Sequence, residues 1–333
     1  MRKESCLYCS GDTLEPLWKN VQDRLRYVPG KWEFWRCNGC GSAKLLPAPR
    51  VEELASFYPP IYDFTPDLLH DKNSLHQLLA RLEYRWFFQP QYEAQARQIC
   101  RLTGGKEKSG QRLLDVGCGG GLRLLAFRRY GYQVHGTDFR PQVVQYLREE
   151  LDIPAVCADA TQITQHLPPD SFHLITAFHL LEHVPDVQRI LENCFQLLAP
   201  GGWFVGTVPL VNSLQARLLG PRWAGASEAP RHLSIPSPEG IQNIVRQVGF
   251  DRLLLQPDSL LNCTGVAVLS IFPSAGSRHS HSSSGLKWVT AGMTPLAAAL
   301  LGVLSIPFCL AENHLFRRPA IGMIFARKPG NPV

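Results

Sequence analysis

The chain has 333 residues, 45% of them hydrophobic and 19% charged, which excludes global disorder and a short disulfide-stapled peptide and favours one main domain with an appendage, or two domains. Lys and Arg number 34 against 28 Asp and Glu, a formal net charge of +6, too mild an excess to predict a nucleic-acid partner. Of the ten cysteines, Cys6, Cys9, Cys37 and Cys40 form two CxxC pairs and the other six are scattered. That usage suits a reducing cytoplasm, and Met1 to Ser10 lacks the apolar run of a secretory signal.

From Met1 to about Arg50 the chain is aromatic and Cys-bearing, too small to bury a core alone and in need of a metal staple. The two CxxC pairs, 27 residues apart, can bring four thiolates to one tetrahedral Zn²⁺. Such a site is closed and structural; four free or buried cysteines remain the alternative. Aromatics and local Arg and Lys raise a nucleic-acid-binding ribbon, but solvated charge around a small core accounts for them more simply. Residues 51–110 read as helical, with Leu75, Leu78, Leu79, Leu82 and Trp86 at helix spacing and a break near Pro90. Gly104 to Gly110 is the linker candidate.

Strands and helices then alternate, as in a parallel sheet with crossover helices. Strands are predicted at Arg112 to Val116, Gln133 to Thr137, Ala155 to Ala158, Phe172 to Ala177, Gly202 to Val208, Arg252 to Gln256 and Ala320 to Arg327. Helices are predicted at Leu122 to Tyr130, at Pro141 to Leu151, and from an N-cap at Ser237 to a stop at Gly249. Between the last two strands lies an insertion, about 260–312, with a low-complexity stretch from Ser274 to Gly285 and two apolar segments. Val289 to Leu310 is 22 residues without a charge, long enough on paper to span a bilayer. A single crossing would strand the last β-strand away from its sheet, so an interfacial or re-entrant hairpin is expected, touching membrane with help from Arg317 and Arg318. A buried helix or a dimer contact is the equal alternative.

The run Asp115-Val116-Gly117-Cys118-Gly119-Gly120-Gly121 follows a hydrophobic strand and opens a helix. Glycines there let a ligand approach the backbone closely, and the helix N-terminus offers amides to an anion. A dinucleotide fingerprint would want glycine where Leu122 stands. This loop resembles the first motif of the class I S-adenosylmethionine-dependent methyltransferases, and Asp138, Asp159-Ala160, Phe178 to Val184 and Pro200-Gly201-Gly202 follow as their later landmarks do. The resemblance covers about 111–256 plus the final strand. It implies an α/β, Rossmann-like sheet of seven strands with the last antiparallel, and a cofactor held by Asp115, Gly117, Cys118, Gly119, Gly121, Asp138, Phe139, Asp159, Ala160, Phe178 and His179. The N-terminal cysteine pairs, with Leu46 to Arg50 and Tyr58-Pro59, are similar to a bacterial subgroup that carries an N-terminal zinc ribbon. Many of its relatives are associated with methylation of sugars, polysaccharides or secondary metabolites.

The resemblance implies S-adenosylmethionine and structural Zn²⁺ as cofactors and a small-molecule acceptor, with domains at 1–50 (ribbon), 51–110 (helical linker) and 111–333 (methyltransferase). An acceptor hydroxyl would want a general base. His183, after the fourth strand on the ligand-binding edge of the sheet, is the first candidate, and His232 the second; either can instead merely shape the pocket. His179-Leu180-Leu181-Glu182-His183 also matches an HxxEH zinc-peptidase pattern, but that needs a long helix where this segment ends a strand. Ubiquinone-pathway methyltransferases resemble the stretch too, with carboxylates and a histidine on a divalent metal; His179 in place of a carboxylate argues against a hard-metal site. A nicotinamide-dependent sugar oxidoreductase or epimerase, disfavoured by Leu122, and a non-catalytic zinc-ribbon binding protein are the competing readings. A cytoplasmic location follows, with membrane association the variant that the insertion allows.

Overall fold

The computed structural model describes residues 5–58, 85, 88–104, 110–272 and 295–330. Its main sheet has seven strands: β4 (Arg112–Val116), β5 (Gln133–Asp138), β6 (Ala155–Cys157), β7 (Phe172–Phe178), β8 (Leu198–Pro209), β10 (Arg252–Pro257) and β11 (Ile321–Arg327). They lie in the order β10-β11-β8-β7-β4-β5-β6. The pairs β4–β5, β5–β6, β4–β7 and β7–β8 are parallel. Strand β11 runs antiparallel to both of its neighbours. Chain order reverses between β4 and β7, and that is where an open α/β sheet leaves a crevice at its carboxyl edge.

The strands follow from continuous apolar runs, as expected where helices cover both faces. Residues Leu113 to Val116 and the length of β7 apart from His173 are buried. Strand β8 begins four residues earlier than the sequence suggests, because Pro200-Gly201-Gly202 forms an irregularity inside it: Phe172 pairs with Leu198, but Leu174 with Trp203. The α-helices among the described residues are α1 (Val51–Leu54), α2 (Gln89–Leu102), α3 (Leu122–Arg129), α4 (Pro141–Glu149), α5 (Val187–Leu197), α6 (Leu214–Leu219), α7 (Pro238–Val248), α8 (Leu260–Ile271) and α9 (Pro295–Leu310). Pro90 is no break: it sits in the first turn of α2, where a missing N–H costs nothing. The other residues of the expected 51–110 pattern, Leu75 to Trp86, and most of the expected linker lie outside the described residues. In α7 the Ser237 hydroxyl accepts the Gly240 N–H at 2.9 Å, Ile241, Ile244 and Val245 face the core, and Gly249 closes the helix at φ 105°.

The N-terminal unit holds β1 (Leu14–Val21), β2 (Trp32–Cys37) and β3 (Ala43–Leu46). A fourth strand, β9 (Ser234–Ile235), comes from the C-terminal half and pairs with β3. Cys6, Tyr8, Cys37 and Cys40 belong to the same apolar cluster as Leu114, Ile241 and Val245. Phe34, Ala43 and Leu45 pack with Trp223 and Ile235. This unit thus shares one apolar cluster with the main sheet and builds the other with segment 211–235.

Candidate active site

The glycine loop leaves β4 at the switch point. Gly117 and Cys118 donate to the Thr137 carbonyl at 2.8 and 2.9 Å, which ties the loop to β5. Gly119 donates its N–H to Asp138 Oδ2 at 3.1 Å, so the loop and the acid ending β5 meet directly. Gly119 has φ +50°, and a Cβ built there would meet nothing within 4 Å, so open space lies above the loop. Gly121, at φ +70°, has no such room: a Cβ there collides with Leu147. Asp115 is buried below the loop, accepting the Thr176 hydroxyl at 2.7 Å, and burial pushes its carboxyl up to about 7.

Asp138 is buried and already engaged. Its Oδ1 accepts the Arg140 backbone N–H and Nε, each at 3.0 Å. Phe139 beside it is exposed, with its ring 6.3 Å from that of Tyr58. Asp159 is exposed and accepts both the N–H and hydroxyl of Thr161, while Ala160 offers its carbonyl to Asn193. Phe178 does not turn toward the loop: its ring stacks on Phe127 and lies under the Arg123 guanidinium at 4.8 Å. His179 takes φ +52° and contacts Glu182 Oε1 through Nδ1 at 3.2 Å.

Both candidate bases converge. The rings of His183 and His232 lie 4.6 Å apart, edge to face. His183 Nδ1 lies 3.1 Å from the Arg231 carbonyl and 3.0 Å from the Tyr58 hydroxyl. His232 Nδ1 lies 2.6 Å from the Gly225 carbonyl. A carbonyl can only accept, so each ring holds its proton on Nδ1 and keeps the Nε2 lone pair. Burial, helped by the neighbouring ring, lowers His183 to about 4; burial also lowers His232, so both are neutral near pH 7. Glu182 is fully buried; burial raises its carboxyl, and His179, first of all by its hydrogen bond, outweighs this, leaving it below the usual range. Its Oε2 has no hydrogen-bond partner among the described residues. Glu182, His183 and His232 bring donor atoms within 4.8 Å of one another, close enough to hold one metal ion.

Sequence reasoning missed what positions these rings. Arg231 is fully buried, with Nη1 at 3.0 Å from Asp23 and Nε at 3.1 Å from Glu228. Arg24 closes the same network on Glu228. Burial raises the Glu228 carboxyl, but Arg24 and Arg231 outweigh it and hold the group down at about 2. This network crosses from the N-terminal unit to the loop that carries His232. Only His232 and the Tyr58-Pro59 pair were visible signals in the sequence.

The cysteine quartet is a separate centre. Its four Sγ atoms lie within 4.8 Å of one another, with Cys6–Cys40 at 3.6 Å and Cys9–Cys37 at 3.5 Å. Sulfurs about 2.3 Å from one zinc form a tetrahedron with edges of about 3.8 Å, so these residues fit that ion. The thiol of Cys6, hydrogen-bonded to Cys40, lowers the latter to about 5, which favours a thiolate. The Cys40 carbonyl accepts the Ser237 hydroxyl, the N-cap of α7.

A parallel sheet with an antiparallel strand inserted next to its edge, a glycine loop after its central strand and an acid ending the next is the Rossmann-like class I methyltransferase fold. A family model described as a methyltransferase domain matches residues 88–255, just over half of the chain, and the chain belongs to that family. Among curated relatives, it is 39% identical over 98 residues to the ubiquinone biosynthesis O-methyltransferase of Coxiella burnetii (strain RSA 493 / Nine Mile phase I), covering 28% of this chain and 41% of the relative. It is 32% identical over 140 residues to the protein of that name from Paracidovorax citrulli, covering 39% and 59%. The chain thus spans about half the length of these relatives. Among solved structures, a SAM dependent methyltransferase from Archaeoglobus fulgidus aligns with a TM-score of 0.47 at 18% identity, covering 77% of this chain and 100% of that one. The [4+2]-cyclase SpnF aligns with a TM-score of 0.49 at 21% identity, covering 85% and 98%.

Proposed function

We propose that the protein is an S-adenosylmethionine-dependent methyltransferase acting on a small-molecule acceptor, a sugar, lipid-linked or secondary-metabolite hydroxyl or carbon. One observation carries this reading: the hydrogen bond from Gly119 to Asp138 joins an open glycine loop to a carboxylate at the switch point of the sheet. Asp115, Gly117, Cys118, Gly119 and Gly121 would surround the amino-acid end of the cofactor, Asp138 and Phe139 the ribose, and Asp159 and Ala160 the adenine. His179 would contribute the floor after β7, and Phe178 only its backbone. When bound, the cofactor supplies a methyl group on a sulfonium, open to displacement. The chain's own residues align and desolvate the acceptor, a contribution of about 7–11 kcal/mol when geometry is right. Neutral His183, with Nε2 as its lone pair, takes the acceptor proton as the new bond forms, and the Arg231 carbonyl and Tyr58 hydroxyl hold the ring. His232 stands as the second base.

The O-methyltransferase names of the curated relatives support an oxygen acceptor. A second reading rests on the unpartnered Glu182 Oε2: with His183 and His232 it would hold a metal ion that polarises the acceptor. Structural zinc on Cys6, Cys9, Cys37 and Cys40 completes the proposal, and ten cysteines without a disulfide among the described residues support a cytoplasmic location. The test is transfer of an isotopically labelled methyl group from S-adenosylmethionine to a component of cell extracts. Transfer that His183→Gln loses and metal chelation spares supports the base, whereas transfer lost on chelation and restored by added metal supports the second reading. Absence of any transfer by an enzyme that binds the cofactor would leave the small-molecule assignment without support.

A further inference from the structure

The C-terminal half presents an apolar surface that methyl transfer does not use. Helices α8 and α9 span 12 and 16 residues without a charge, roughly 18 and 24 Å at 1.5 Å per residue, less than the ~30 Å of a bilayer core. No helix among the described residues is long and apolar enough to cross a membrane. The two helices pack together around Cys263 and Cys309. That leaves Leu300, Val303 and Leu304 of α9 exposed, Leu304 by 72%. The chain then turns through 311–319, where Leu315 is 75% exposed, and Phe316, Arg317 and Arg318 are exposed beside it.

This turn is firmly anchored. Glu312 is fully buried and accepts the Gln215 backbone N–H at 2.8 Å and its side-chain Nε2 at 2.9 Å. Leu214 donates to the Arg318 carbonyl at 3.3 Å, and Ala224 to Ser270 Oγ of α8 at 2.8 Å. Segment 214–224 is therefore held to the helical pair at both ends, and it carries Arg217, Leu218 and Arg222, all exposed. Arg317 and Arg318 follow Leu315 and Phe316 directly, and Arg217 and Arg222 stand on the segment bonded to the turn and to α8. None enters an ion pair among the described residues.

The geometry points to a peripheral contact with an anionic bilayer, made by the packed pair α8 and α9 and the turn at 314–319. Apolar side chains enter the boundary between headgroups and acyl chains, and the arginines meet lipid phosphates. A second copy of the chain is the poorer occupant, since a two-fold contact would set arginines against arginines. The inference goes beyond the methyl-transfer reading and does not depend on it, because vesicle binding needs neither cofactor nor acceptor.

The experiment is co-sedimentation of the full chain with vesicles of phosphatidylcholine alone or mixed with phosphatidylglycerol. Binding to the mixed vesicles is expected, weakened by salt. Arg317→Ser with Arg318→Ser should reduce it roughly 30-fold, about 5-fold for each charge. Leu315→Ser with Phe316→Ser should reduce it at least about 10-fold. These side chains are exposed, so melting temperatures should stay at the wild-type value, and the salt and lipid dependence of the wild type tests the idea without any variant. Failure of the wild type to bind mixed vesicles would overturn it, as would binding that both double variants retain. A dimer in sedimentation velocity that Leu304→Asp splits would assign the face to a second copy and overturn it equally.

Discussion

Gly119→Arg separates the folding role of the glycine loop from its binding role. At φ +50° any side chain at this position costs roughly 1–2 kcal/mol of backbone strain. No neighbouring atom lies within 4 Å of the added Cβ, so the Cβ itself meets no steric conflict in the free protein. At about 2–4 °C per kcal/mol for a chain of this order of size, the melting temperature should fall by only a few degrees. The arginine, however, fills the space above the loop that the ligand would occupy. Wild-type protein at a product-analogue concentration of 100 times its dissociation constant gains ~2.7 kcal/mol, read as a shift of several degrees with S-adenosylhomocysteine. The variant should show no such shift while keeping its zinc content. Gly121→Ala is the contrasting control: it collides with Leu147, so it should lose stability itself. A Gly119→Arg protein that melts near the wild-type temperature and still gains the wild-type shift would refute the reasoning.

Burial raises Asp115 to about 7 in the free protein, and the cofactor's ammonium favours the carboxylate. Below that pH the proton must leave on binding, so affinity should drop ~10-fold per pH unit below 7 and level off above it; calorimetry giving a flat profile would contradict this. His183→Gln should lower the rate of methyl transfer by about 10²–10⁴ with cofactor affinity unchanged, and the acid limb of the wild-type profile, centred near the value of about 4, should vanish with it. Because burial lowers His183 from its ordinary value of 6.5, the unfolded chain binds its proton first. Stability should therefore decline as pH falls from about 6.5 to about 4, by up to roughly 3 kcal/mol, and urea titrations of wild type and His183→Gln would measure the difference. Cys40→Ser should abolish zinc binding and lower the melting temperature, since without the metal staple the knuckle whose Cys40 carbonyl accepts the α7 N-cap hydroxyl is loosened; elemental analysis showing a metal-free wild type would remove the metal claim.

The main sheet was legible because its determinants are local. Runs such as Leu113 to Val116 fix strand positions, and Ser237, Pro238 and Gly249 fix both ends of α7. The glycine loop and Asp138 were legible for the same reason, each lying within a few residues of a strand end. What could not be read was long-range. The pairing of β3 with β9 joins residues nearly two hundred positions apart, and the Asp23–Arg231 pair spans 208. Tyr58 reaches His183 only through the tertiary fold. Phe178 shows the opposite error: its place after β7 suggested a ligand contact, yet strand alternation turns its ring toward Phe127 and Arg123.

The most direct test of the account is a crystal structure of the protein with S-adenosylhomocysteine. The account predicts density across the edge of β4 and β5, with the amino-acid end over Gly117–Gly121 and the ribose hydroxyls on Asp138. A ligand bound elsewhere, or none in a protein whose loop is ordered, would contradict it.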